Sequence, residues 1–195
     1  MLIMDSKDLI KNSKKLSKIL RHSAKSRGLN IDNGGWIKLN DILKCQEFKN
    51  VTNEDILFIV ENNDKKRFSI EYRNNIIYIK ANQGHSIKSI NDDLLLNEIT
   101  DPNYIKIAVH GTFKKSIKLI KENGLSKMNR NHIHMAKSKD IKSGIRKNAT
   151  VFIFIDVTSA INDGIKFYES ENDVILSPGI DGIIPSKYFL SIEYK

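Results

Sequence analysis

A change of rhythm near the middle of the chain most constrains what it can fold into. Before the polar, turn-prone stretch Asn91 to Asn103 the pattern predicts helices and a hairpin, and after it mainly short strands. We therefore place a first domain over residues 1–95 and a second over residues 101–195. A chain of 195 residues is long enough for two small domains, and its mixture of elements predicts an α+β fold.

The first domain has the period of helices followed by that of a hairpin. One helical face carries the apolar residues Leu9, Ile10, Leu16, Ile19 and Leu20. Further helices are predicted over 39–44 and 53–62, and strands over 67–72 and 76–79. Three helices followed by a β-hairpin are the layout of a winged helix, although a fold does not by itself fix a function.

The second domain consists mainly of short apolar or alternating runs. Strands are predicted over 105–109, 133–136, 151–157, 165–168, 174–176 and 189–194. One helix is predicted over 113–122, and Asn123-Gly124 supplies its C-terminal stop. This order predicts a compact domain built on a largely antiparallel sheet.

Charge and cysteine content narrow the class of protein. The 32 basic and 23 acidic residues give a net charge of +9, which favours a polyanionic partner without predicting sequence recognition. Cys45 is the one cysteine, so no intrachain disulfide can form. The start of the chain has the pattern of neither a signal peptide nor a membrane span. We expect a soluble, cytoplasmic monomer that does not bind a membrane.

Histidines raise the question of a metal site. The five are His22, His85, His110, His132 and His134. His132 and His134 lie two residues apart, so a strand would place both on one face. Imidazole is a common metal ligand, but the sequence has no HExxH motif and no carboxylate close to this pair. We therefore expect no metal, and we expect at least one of the five histidines to pack in the core.

Arginine is scarce, since only six of the 32 basic residues are arginine. Where lysine supplies most surface charge, an arginine indicates a position that needs a planar, bidentate donor, as for phosphate. The candidates are Arg21 beside His22, Arg67, Arg130 and Arg146. Arg27 and Arg73 are interpreted as solvated surface residues.

Two glycine-containing segments each follow a predicted strand. They are Gln83-Gly84-His85-Ser86 and His110-Gly111-Thr112, and the second is predicted to open a helix. Glycine lets a ligand approach the backbone, and free N–H groups at a helix start suit a phosphate, although such tripeptides are often only turns. The sequence contains no Walker-type loop and no GxGxxG motif, which argues against the conventional nucleotide-binding folds.

Taken together and in order, these segments resemble the KptA-like, NAD-dependent RNA 2′-phosphotransferase family. The joint occurrence of NQGHS, HGT and GLxxMxRxHIH is the most specific part of the resemblance. The matching segments are LSKILRH (16–22), GLNIDNGGWIKLNDIL (28–43), IVENNDKKRFSI (59–70), IKANQGHSI (79–87), VHGT (109–112), IKENGLSKMNRNHIHMA (120–136), SGIR (143–146) and FYESENDVIL (167–176).

The resemblance implies a winged-helix-like, RNA-binding first lobe and an ADP-ribosyltransferase-like, NAD-binding second lobe. It implies a catalytic set, which consists of Arg21, His22, Arg67 and Arg146. It also implies that NAD is consumed as a co-substrate and is bound by His110, Gly111, Thr112 and His134, with weaker assignments for Gln83, Ser86 and Arg130.

The implied reaction removes an internal 2′-phosphate from a tRNA-like RNA, as in tRNA splicing. The phosphate attacks C1″ of NAD, nicotinamide leaves, and RNA-2′-phospho-ADP-ribose forms. Transfer of the phosphoryl group to O2″ then gives 2′-OH RNA and ADP-ribose 1″,2″-cyclic phosphate. The first step needs orientation of an anion that is already nucleophilic, and the second needs donors for charge on phosphoryl oxygens.

Three positions depart from the family pattern. Proline often follows Arg-His, and here Ser23-Ala24 stands there. The loop at Arg146 often has a second basic residue and glycine, and here it reads Arg146-Lys147-Asn148. Where the family has Asn-Gly-Val this chain has Asn172-Asp173-Val174, and aspartate is less suited than glycine if the position needs a positive φ.

Other functions stay open at this stage. An ADP-ribosyltransferase acting on another nucleic-acid or protein acceptor would share the HGT motif and His134 without requiring Arg21, His22 and Arg67. A non-enzymatic winged-helix regulator would need a base-reading helix, and the acidic, apolar segment 53–62 is poorly suited to a DNA groove. Lys14, Lys18 and Lys25 either follow an RNA backbone or form a solvated helix face.

Overall fold

The computed structural model describes residues 5–141, 143–146 and 148–195. The start of the chain, residues 1–4, and Lys147 of the Arg146 loop therefore lie outside the described residues. Two compact units are present, and the first ends at Leu95 while the second begins at Leu96. Helices and antiparallel sheets occur together, so the predicted α+β class is confirmed. In the part of the chain that is described, no helix is long and apolar enough to cross a membrane.

The first unit contains the three predicted helices. They are α1 (Ser6–Lys18), α2 (Leu39–Leu43) and α3 (Asn53–Glu61), and a later short helix is α4 (Asp92–Leu95). Helix α3 begins with a full capping box, since Thr52 and Asp55 exchange hydrogen bonds of 2.9 and 3.2 Å between side chain and backbone. The prediction for Ile10 is wrong, because its side chain is 55% exposed instead of facing the core.

A three-stranded antiparallel sheet completes this unit. Its strands are β1 (Ile37–Lys38), β2 (Phe68–Arg73) and β3 (Ile76–Ala81), in the order β1-β3-β2. The β2–β3 hairpin turns through Asn74 and Asn75, both with positive φ, which asparagine tolerates better than most residues.

The second unit is built on a seven-stranded antiparallel sheet. The strands are β4 (Asn97–Glu98), β5 (Ile107–Thr112), β7 (Ile133–Ala136), β8 (Val151–Asp156), β9 (Tyr168–Glu169), β10 (Val174–Ser177) and β12 (Phe189–Tyr194). Their order in the sheet is β12-β8-β5-β7-β10-β9-β4. Strands β6 (Leu125–Ser126) and β11 (Ile183–Ile184) pair separately. Helices α5 (Ile117–Asn123) and α6 (Val157–Asn162) pack with the apolar core of the sheet.

Several element boundaries differ from the sequence prediction. Strand β5 runs three residues beyond the predicted 105–109, because pairing with β8 continues after the apolar run ends. The predicted strand 165–168 overlaps the observed strand, Tyr168–Glu169, only at Tyr168. Helix α6 was missed, since the apolar run 151–157 hides its start, where the Asp156 side chain caps the Ser159 N–H at 2.9 Å.

Candidate functional site

Arg21 and His22 lie on a π-helical turn that continues α1. The turn, Ile19–Ser23, is anchored by Ile19 and Leu20, which are fully buried. Arg21 is half-buried and His22 is exposed. Widened turns of this kind are rare and occur frequently at functional sites, because they change the direction in which side chains leave the helix.

The loop 82–86 after β3 holds this turn in place. The Ser86 backbone N–H donates to the Arg21 carbonyl at 2.9 Å, and the Ser86 hydroxyl contacts His22 Nδ1 at 3.0 Å. Gly84 has φ +91°, and a Cβ there would lie 3.3 Å from Nε of Arg21. The backbone conformation therefore favours glycine, and a side chain at this position would make the guanidinium shift slightly.

Arg67 lies immediately before β2 and is held by two asparagines. Asn63 Oδ1 accepts from Arg67 Nη1 at 3.0 Å and from its backbone N–H at 3.3 Å. Asn82 donates its backbone N–H to the Arg67 carbonyl at 2.9 Å. Partial burial lowers the pKa of the Arg67 guanidinium, and the negative charge of Asp64 acts in the opposite direction. Among the described residues, no carboxylate forms an ion pair with Arg67.

Three predicted catalytic residues thus meet one structural element. Ser86 contacts Arg21 and His22, and Asn82, four residues earlier in the same loop, bonds to Arg67. Gln83 and Ser86, which were predicted as weaker NAD contacts, belong to this loop of the first unit. Asn63 and Asn82 lie within the motifs that match the family, but the sequence predicted no role for either. Only their hydrogen bonds distinguish them from ordinary turn residues.

His110 and His134 are joined in the second unit by a hydrogen bond between neighbouring strands. His110 Nδ1 donates to the His134 carbonyl at 2.8 Å, which leaves Nε2 of a neutral ring as an acceptor. Burial lowers the pKa of His110, and the positive charges of Arg146 and Arg130 lower it further, while the hydrogen bond to His134 acts in the opposite direction. His110 is therefore uncharged at neutral pH.

Arg130 and Arg146 add two positive charges beside this histidine. Arg130 Nη1 approaches His134 Nδ1 at 3.5 Å, and the Arg146 guanidinium lies 5.6 Å from the centre of the Phe113 ring. Burial and the charge of Arg146 lower the pKa of Arg130. In the described segments neither arginine forms an ion pair with a carboxylate. Two like charges without a counterion form a region that would be stabilised by an anion.

The segment around Gly111 differs from the prediction in its secondary structure. The HGT motif does not form a turn at a helix start, because His110, Gly111 and Thr112 are paired in β5 with β8, and α5 begins only at Ile117. A Cβ at Gly111 would lie 2.6 Å from Cγ2 of Ile145. Glycine is therefore needed so that the segment carrying Ile145 and Arg146 can pack on the strand.

Other predictions are corrected by side-chain partners. Arg27 is not simply solvated, because it pairs with Glu47, and Arg73 pairs with both Asp32 and Glu71. His132 precedes β7, is 5% exposed and packs edge-on against Tyr168, which confirms that at least one histidine lies in the core.

The departure at Asp173 has a structural consequence. Asp173 adopts φ +60°, the conformation for which glycine is better suited. The turn is held by buried neighbours, since the Ser170 hydroxyl contacts Asn172 Oδ1 at 2.8 Å and accepts from the Val174 N–H at 3.2 Å.

Comparison with known proteins identifies the family of this chain. The profile of the RNA 2′-phosphotransferase, Tpt1 / KptA family matches residues 7–179. A Schizosaccharomyces pombe protein, provisionally named a tRNA 2′-phosphotransferase, is 46% identical over 95% of this chain and 52% of its own length. The tRNA 2′-phosphotransferase 1 of Danio rerio is 40% identical over 95% of this chain and 85% of its own.

A third relative, the tRNA 2′-phosphotransferase of Saccharomyces cerevisiae, is 39% identical over 90% of this chain and 81% of its own length. The chain thus spans about half of the fission yeast relative and most of the other two. The resemblance drawn from the motifs is confirmed, and with it the class of enzyme, a transferase. The chain belongs to the RNA 2′-phosphotransferase, Tpt1 / KptA family.

Proposed function

We propose that this protein removes an internal 2′-phosphate from RNA and consumes NAD in doing so. The observation that carries the proposal is the guanidinium of Arg67, half-buried and hydrogen-bonded to a neutral amide beside the loop that also holds Arg21 and His22. A partly desolvated cation without a carboxylate partner is suited to bind a dianionic phosphate.

The first unit is proposed as a winged-helix-like, RNA-binding lobe. Its order of helices followed by the β2–β3 hairpin supports this assignment. Lys14, Lys18 and Lys25 are exposed on or just after α1, close in sequence to Arg21. They are available to contact backbone phosphates of a tRNA-like substrate, and such contacts would weaken as the salt concentration rises.

The second unit is proposed as an ADP-ribosyltransferase-like lobe that binds NAD. The charges of its residues fit this co-substrate, since a pyrophosphate would relieve the repulsion between Arg130 and Arg146. His110, through its uncharged ring, and His134 would orient the ribose or nicotinamide. Gly111 and Thr112 are buried in β5, and we assign them the role of keeping His110 of the same strand in position for NAD.

In the proposed reaction the 2′-phosphate of the RNA forms a bond to C1″ of NAD, and the bond to nicotinamide breaks. The phosphoryl group of RNA-2′-phospho-ADP-ribose then transfers to O2″, and the RNA 2′-oxygen leaves and gains a proton. Arg21 and Arg67 orient the phosphate and stabilise charge on its oxygens. His22 contacts the phosphate or the ribose, and Arg146 is the proposed fourth catalytic residue.

The deciding experiment incubates the protein with a 2′-phosphorylated oligonucleotide and NAD. We expect 2′-OH RNA, nicotinamide and ADP-ribose 1″,2″-cyclic phosphate in equal amounts, and no product when NAD is omitted. NAD consumption without phosphate removal would instead indicate an ADP-ribosyltransferase with a different acceptor. RNA binding without any NAD cleavage would indicate a regulator.

A further inference from the structure

Asn63 lies at the point where α3, the turn before β2 and helix α1 meet. Its side chain is buried, with 7% exposed, and the residue lies just beyond Asn62, which caps the end of α3. The side-chain oxygen, Oδ1, accepts two hydrogen bonds from Arg67. The side-chain nitrogen, Nδ2, donates to the hydroxyl of Ser13, on α1, at 3.3 Å. Because an arginine offers only donors, the amide of Asn63 has to turn its oxygen toward Arg67 and its nitrogen toward Ser13.

Hydrogen bonds of Asn63 and Asn82 stabilise the conformation of the turn from Asn63 to Arg67. The Lys66 backbone N–H donates to the backbone carbonyl of Asn63 at 2.7 Å, and Asn82 Nδ2 donates to the backbone carbonyl of Lys66 at 2.9 Å. Lys66 adopts φ +42°, which is unfavourable for a residue with a Cβ. The position of the Arg67 guanidinium therefore depends on Asn63 through both backbone and side chain.

The chemistry of this partner differs from that of the ion-paired arginines. A carboxylate would hold a guanidinium with similar geometry and more strongly, as Asp32 and Glu71 hold Arg73. It would also neutralise the positive charge of the guanidinium, which the phosphate needs for binding. An amide accepts the same hydrogen bonds without adding negative charge.

We propose that Asn63 is a positioning residue that fixes the guanidinium of Arg67 through a neutral acceptor and so keeps its positive charge available for the 2′-phosphate. This inference rests on the proposed function, in which Arg67 binds that phosphate. It adds a requirement on the chemistry of residue 63: the side chain has to accept hydrogen bonds and has to be uncharged.

The test is the substitution Asn63→Asp, which keeps the size of the side chain and its acceptor toward Arg67. The Ser13 hydroxyl can donate to the new carboxylate, so the fold should be retained. Binding of an oligonucleotide with and without a 2′-phosphate is measured in the absence of NAD. We expect the preference for the phosphorylated form to fall by about tenfold or more, while thermal unfolding stays near that of the parent protein.

Three further variants separate charge from structure. Asn40→Asp adds the same charge at an exposed position of α2 and should leave the preference unchanged. Asp64 is exposed, and the charge of its carboxylate acts on Arg67. The substitution Asp64→Asn removes this charge and should increase the preference by about twofold. In an Arg67→Ala background, Asn63→Asp should have no further effect on the preference.

The outcomes distinguish the inference from the proposed function. A parent protein that neither prefers the 2′-phosphorylated oligonucleotide nor dephosphorylates it would overturn the proposed function. A parent protein that does both, together with a folded Asn63→Asp variant of undiminished preference, would overturn the inference alone. If Asn63→Asp does not fold, an unchanged preference in Asp64→Asn overturns the inference.

Discussion

The two ends of strand β2 carry arginines that are held in opposite ways. Arg73, at the turn end, donates to Glu71 at 2.9 Å and to Asp32 at 3.2 Å, and it lies 4.7 Å from the centre of the Tyr78 ring. These partners raise the pKa of Arg73 above its ordinary value, whereas burial lowers the pKa of Arg67 at the other end.

The comparison shows that a scarce arginine is not by itself evidence for ligand binding. The charge of Arg73 is neutralised within the protein, and its role is to hold the segment around Asp32 against the hairpin. Among the described residues, the side chain of Arg67 donates to an amide and forms no ion pair with a carboxylate, so a ligand can still use its charge. The partner of the arginine, more than its presence, separates a structural residue from a candidate for phosphate binding.

The sharpest way to break this comparison is to remove each arginine in turn. Arg67→Ala should lower kcat/KM for a 2′-phosphorylated oligonucleotide by about 100-fold or more, because a preorganised donor to the phosphate is lost. Arg73→Ala should leave kcat/KM within about twofold and lower the free energy of unfolding by about 1 kcal/mol. Steady-state kinetics and thermal unfolding of both variants check this, and equal kinetic effects would contradict the distinction.

A smaller effect is expected at the loop that contacts Arg21. Gly84→Ala places a Cβ 3.3 Å from Nε of Arg21 and should lower kcat/KM by about tenfold, because the guanidinium is displaced. Gly28→Ala is the matched control, since Gly28 also has a positive φ but a Cβ there meets nothing within 4 Å. Both variants should lose about 1 kcal/mol of stability, and a kinetic defect in both would show that strain alone is responsible.

The turn end of the hairpin should respond in stability only. Asn75 has φ +60°, so Asn75→Gly should raise the free energy of unfolding by roughly 0.5 kcal/mol by relieving the backbone at no cost in contacts. Urea unfolding measures this gain. Activity on the phosphorylated oligonucleotide should be unchanged, and a loss would place the turn in the functional region.

The smallest effect is expected in the acid stability of the Arg73 region. Hydrogen bonding to Arg73 lowers the pKa of Glu71, so the carboxylate stabilises the fold above its unfolded pKa of about 4.3 and this contribution is lost as the pH falls through the lower folded value. Unfolding midpoints of the parent protein and Glu71→Gln should therefore differ slightly at neutral pH and converge in acid. A difference that grows as the pH falls would contradict this sign.

Local sequence signals were sufficient for several elements. Strands β7 and β12 begin and end where the apolar pattern predicted, and Thr52 with Asp55 marked the start of α3. These elements follow from nearest-neighbour rules of capping and periodicity. Strand β5 did not follow them, because HGT has no strand-like pattern and is extended only through pairing with β8.

The residues of the candidate site were predicted only in part from the sequence. Ordered motifs identified the family and the residues Arg21, His22 and Arg67, which the structure places against one loop. The same sequence gave no indication that Gly111 makes room for Ile145, since the two residues are far apart in the chain and meet only in the fold.

The sequence by itself determined the class of fold, the order of its main elements, the family and a short list of arginines suited to phosphate. Only the tertiary structure decided which of these arginines keep their charge available. Asp32 and Arg73 are separated by 41 residues and form an ion pair, whereas Asn63 lies four residues before Arg67 and supplies no charge. Neutralisation depends on distance in space and on the chemistry of the partner, and neither can be read from the spacing of residues along the chain.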